Sequence, residues 1–120
     1  MRLLPLLIVA SACAAGSARE ADLSRELAGR TAGPPQDCVP ASAGDSLVAR
    51  DAQTLVYRRG DTIWVNRLAA ACPGLNPTST LIVQVHGSSH CRGDPVRAVE
   101  PGQSIPGPTC VLGSFTPWRG

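Results

Sequence analysis

Four cysteines, Cys38, Cys72, Cys91 and Cys110, stand 34, 19 and 19 residues apart. They constrain the fold more than any other feature of the chain. An even set in a small exported chain reads as two disulfides, and four cysteines allow three pairings, all left open by the spacing. Closing loops of this length stabilises a fold by about 3–4 kcal/mol per bond in the chain-entropy picture. That contribution matters here, because 120 residues hold one domain at most, and a folded part of about 80 residues buries only a modest core.

Export is read from the N-terminus. Met1-Arg2 precedes the apolar run Leu3–Ala10, and the small residues Ser11-Ala12-Cys13 follow. The run is too short for a membrane span, which takes roughly 20 residues, so residues 1–14 read as a secretory signal. Ala12 and Ala14 suit cleavage after Ala14. Ala10-Ser11-Ala12-Cys13 also resembles a bacterial lipobox, with Ala10 where leucine is usual. That route cleaves after Ala12 and makes a lipidated Cys13 the mature N-terminus, anchoring the domain to a membrane without spanning it. On either route Cys13 leaves the count and four cysteines remain to pair. The expected location is the periplasm or cell envelope, lipid-anchored if Cys13 is acylated.

Residues 15–37 are polar and rich in Gly, Ala and Pro, and read as a flexible tether. Within them Asp22–Leu27 can form a turn or two of helix, capped by Asp22, with Leu23 and Leu27 on one face. Gly33-Pro34-Pro35 stops it. Residues 38–120 then form the small domain. Its charge excludes one class of partner. Eleven arginines face nine acids with no lysine, and the arginines are scattered, whereas a nucleic-acid footprint needs them clustered.

The pattern after Cys38 is that of strands. Thr54–Arg59 and Thr62–Val65 are rich in β-formers, and Gly60-Asp61 between them suits a Gly-first type II′ hairpin turn. Alternation groups Leu55 with Tyr57 and Ile63 with Val65, and these pairs are the expected inner set. Asn66–Ala71 changes to helix formers, with Asn66 as cap. Thr80–His86 reads as the central strand, its fully apolar face, Leu81, Val83 and Val85, turned to the core. Val96–Val99 and Cys110–Phe115 are further strands, separated by a proline-rich loop. The expected fold is mainly β: a small antiparallel barrel or strongly curved sheet of five or six strands with one short helix, braced by two disulfides.

Chemistry-bearing residues gather after the Thr80–His86 strand. His86, His90, Cys91 and Asp94 are ligand-capable and close in sequence. A cysteine held in a disulfide is a poor thiolate ligand, however, and the plainer reading places both histidines on the surface. His90 beside Cys91 suggests a base and a nucleophile, yet no third residue orients them. Arg-Gly-Asp occurs twice, at Arg59–Asp61 and Arg92–Asp94. Each supplies the glycine and short acid of a tight turn, and Asp94 is expected to accept backbone N–H bonds at its corner. Tyr57 and Trp64, able to stack across the hairpin, form with Arg92 and Asp94 the candidate binding surface. No catalytic residue, cofactor or metal site is assigned.

One resemblance joins these segments. Ile63–Leu68 leading to Cys72-Pro73-Gly74-Leu75, then Cys91-Arg92-Gly93-Asp94, then Cys110-Val111-Leu112-Gly113-Ser114-Phe115-Thr116-Pro117, resemble a family of small secreted or lipoprotein-like proteobacterial domains of unknown function. The resemblance covers about Cys38–Pro117 and implies no activity. The expected function is that of a non-catalytic cell-envelope domain binding a protein or envelope polymer. The alternative is a small metal-handling or hydrolytic protein using His86, His90 and Asp94.

Overall fold

The computed structural model describes Pro5 and residues 22–41, 46–85 and 87–120. Cys13, His86 and all of the expected export signal except Pro5 lie outside the described residues. Among the described residues ten short strands make three antiparallel sheets, preceded by one short helix, α1, over residues 22–26. The protein is therefore mainly β, and no closed barrel forms among the described strands.

The hairpin is where the sequence placed it. β4 (Thr54–Arg59) and β5 (Thr62–Arg67) pair in register around Gly60-Asp61. Gly60 has φ 57° and Asp61 is not on the positive side, the φ signs of a type II′ turn, whose twist suits the flanking strands. β5 is the middle strand of five, in the order β1 (Thr31–Ala32), β10 (Phe115–Arg119), β5, β4, β3 (Val48–Ala49). The register puts Trp64 opposite Tyr57 and Asn66 opposite Leu55. Trp64 and Asn66 therefore share the face of Leu55 and Tyr57, and Ile63 and Val65 belong to the other face. The expected inner set is corrected by one residue on β5. Both faces are buried, so alternation alone did not mark which was inner.

On one face Leu55, Tyr57, Trp64 and Phe115 join Leu47, Leu68 and Val96 in the main core. On the other, α1 lays Leu23 against Val56, Ile63 and Val65, with Leu27 and Trp118 at the margin. Burying a leucine in this way contributes about 2 kcal/mol. Glu26 fastens the helix: its carboxylate accepts from Arg50 Nε and Nη2, both at 2.8 Å, and from Arg58 Nη2 at 3.1 Å. β1 then adds to the edge of β10. Within residues 22–37, whose composition reads as part of a flexible tether, the helical part is docked because the two leucines and Glu26 each find a partner, and the mostly exposed residues 31–36 are held by backbone pairing to β10.

Two further expectations change. No helix forms over 66–71, since β5 runs on through Arg67 and irregular chain follows. Asn66 is fully buried and belongs to the sheet junction: its Nδ2 donates to the Gly113 carbonyl at 2.7 Å and its Oδ1 accepts the Gly113 N–H at 2.8 Å. These two bonds override weak helix propensity. Thr80–His86 is likewise not central. Its strand β6 spans Thr80–Val83 and pairs only with β8 (Pro95–Val99), at the end of the sheet β6-β8-β9 (Cys110–Val111). Leu81 and Val83 are half-buried and Val85 is exposed.

One disulfide braces a single sheet and the other ties the chain leaving the five-stranded sheet to the three-stranded one. Cys38–Cys91 joins directly opposed residues of the two-stranded sheet β2 (Cys38–Pro40) and β7 (Ser89–Cys91). Cys72–Cys110 joins the chain after β5 to β9. They close loops of 53 and 38 residues, each worth about 4 kcal/mol in the chain-entropy picture.

Candidate functional site

The four residues of the candidate binding surface do not assemble into one. Tyr57 is fully buried and its hydroxyl donates to the Pro40 carbonyl at 2.7 Å. Trp64 is buried beside it, ring centroids 5.7 Å apart, and its Nε1 donates to Gln36 Oε1. The cross-strand aromatic pair exists, but as core. Asp94 is buried, and its Oδ2 accepts the Cys91 N–H at 2.8 Å. Of the four, only Arg92 is exposed. Both Arg-Gly-Asp tripeptides are turns: the first is the β4–β5 reversal, and in the second Gly93 takes φ 90° while the Asp94 N–H donates to the Cys91 carbonyl.

His90 departs most from expectation. It is 8% exposed and not on the surface. β7 carries it opposite Val39, and its ring meets Tyr57 edge-on, centroids 6.0 Å apart at 76°. Its Nδ1 is buried without a hydrogen-bond partner. Burial pushes the His90 pKa below the ordinary imidazole value, against the pull of the Asp94 charge, so the ring is neutral at physiological pH.

His90 forms part of the wall of a groove of about 460 Å³. One side is Ser46-Leu47-Val48 at β3, and the other is Ser79 and β6. β3 ends the five-stranded sheet and β6 ends the three-stranded sheet, so the groove lies between two sheet edges. Sequence reasoning missed it. The apolar, uncharged run Thr80–Val83 reads as a central strand, and its place at a sheet end follows only from which strands pair.

Two nucleophile-type side chains near the groove are engaged in structural bonds. Cys91 is held in a disulfide. Ser79 Oγ donates to the Gly74 carbonyl at 2.6 Å and accepts the Asn76 N–H, which makes it a turn residue. No group of three or more His, Cys, Asp or Glu able to hold a metal occurs among the described residues. Comparison adds no relative. No family model matches the chain, and neither a curated protein nor a solved structure matches it.

Proposed function

We propose that this chain is a non-catalytic binding domain of the cell envelope, and that it takes a segment of a protein or envelope polymer into the groove between β3 and β6. The groove carries this reading: it combines apolar side chains with serine and threonine, a buried imidazole and two sheet ends, within the size range of ligand sites, about 300–1,000 Å³. Two disulfides suit an oxidising compartment, and acylation of Cys13 would hold the domain at a membrane. Among the described residues no helix is long and apolar enough to cross one. The resemblance to small secreted proteobacterial domains fits a shared scaffold. Its motif residues Leu75, Leu112 and Phe115 are buried, Cys72 and Cys110 are bonded, and Gly93 and Asp94 close a turn.

Photocrosslinking in cells tests the assignment. A benzophenone amino acid at Thr80, on the groove, is expected to give an adduct of defined mass in the exported protein, and the same group at Ser24, on the exposed side of α1, none. No adduct at Thr80, or the same adduct from both positions, would overturn it.

A further inference from the structure

The groove has a backbone-shaped requirement. The Gln84 N–H donates to the Pro95 carbonyl at 3.2 Å, and the register pairs Val83 with Val96 and Leu81 with Ala98. In an antiparallel ladder, directly opposed pairs alternate between bonded and non-bonded. Ile82 and Gln84 therefore point their amides and carbonyls at β8, and Leu81 and Val83 point theirs away from it. The Gly107 N–H confirms the phase, since it bonds the Ala98 carbonyl on the side away from β6. The outward groups of Leu81 and Val83 have no partner strand among the described residues.

We infer that the ligand is an extended peptide segment that adds to the free edge of β6 as a further strand, with about four residues, or ~13 Å of chain, in contact. This rests on the groove reading above. Three observations select a peptide backbone as the occupant. The unpaired groups recur every second residue, the spacing a second strand meets. β6 carries no charge, proline or bulge to repel one. The edge is recessed beside Leu47, Val48 and His90, so a single extended segment reaches it more readily than the edge of another folded copy. The residues facing the groove carry no charge apart from neutral His90, which favours a segment whose central residues are uncharged.

The test uses the full chain with both disulfides formed. The probes are acetylated, amidated hexapeptides alternating valine with threonine, serine or alanine, at millimolar concentration, followed by amide chemical shifts. The expected result is saturable shifts at Leu81 and Val83. One of the two isomers N-methylated on alternate residues should then bind at least tenfold more weakly than the parent. Val83→Pro should lose binding at least tenfold as well; its N–H faces away from β8, so proline there removes no ladder bond. Both N-methylated isomers binding like the parent would overturn strand addition, and so would no groove shift with any peptide. If soluble cell-wall glycan fragments shift groove amides while every peptide fails, the strand is overturned and the groove reading stands.

Discussion

Asn66 and His90 are both buried polar side chains on strands, and they are finished in opposite ways. The Asn66 amide uses its donor and its acceptor on the two backbone groups of Gly113. The His90 Nδ1 has no partner. A satisfied buried amide fixes one arrangement of chain, because any other leaves polar groups without water or partner. An unsatisfied one adds no stability to the fold that holds it. Asn66 thus belongs to the scaffold, where β5 and the entry to β10 lock, and His90 marks a region the scaffold leaves unfinished. The same contrast holds for the strands around them. Among the described strands β5 is paired on both sides, whereas β6 is paired on one.

The contrast breaks first at Gly113. A Cβ there would stand 2.1 Å from the Arg67 carbonyl oxygen, a backbone atom that can yield only by moving β5. Gly113→Ala is expected to destabilise by about 4 kcal/mol or to prevent folding, read from urea unfolding of the oxidised protein. Asn66→Leu should lose about 2–4 kcal/mol, because it strands both Gly113 groups in the core. Glu26→Gln weakens the hold on α1 and should lose about 1 kcal/mol. His90→Phe keeps a ring against Tyr57 and removes an unpaired nitrogen, so its effect should fall within about 0.5 kcal/mol at neutral pH. A loss at His90 as large as at Asn66 would remove the distinction.

Acid separates the same groups. His90 has its pKa lowered by burial, so the unfolded chain takes up a proton before the fold does. Its titration leaves stability untouched above the ordinary value of 6.5 and lowers it as pH falls from there toward the folded pKa. Glu26 is lowered chiefly by its hydrogen bond from Arg50. Its contribution is present above 4.5 and is lost below it, as pH falls through the folded value. Stability of the native protein should therefore decline in two windows. His90→Phe should flatten the upper one and Glu26→Gln the lower. A single acid transition unchanged by either substitution would contradict both assignments.

The hairpin was legible because its signal is local: β-formers on both sides of a glycine that takes positive φ. The short helix was legible from Leu23 and Leu27 four apart, but not its docking, which depends on an apolar outer face of β4 and β5. Alternation failed on β5 because it reports an inner face only when the other is wet, and here both are covered. Asn66–Ala71 reads as helix until Gly113, 47 residues further on, supplies the bonds that keep Asn66 in a strand. Thr80–His86 looks central for its apolar residues. Its edge position follows from which strands pair, which composition does not encode. His90 was placed on the surface because a histidine after a glycine-serine turn ordinarily is, and the disulfide partner of its neighbour, Cys38, could not be named from spacing.

Amide hydrogen exchange along β6 of the free protein reads its open edge. Alternation is expected: Leu81 and Val83 exchange near the rate of an unstructured chain, and Ile82 and Gln84 at least about tenfold more slowly. Uniform protection from Leu81 to Gln84 would mean that the outward edge already has a partner, and the groove would not be the open end of this fold.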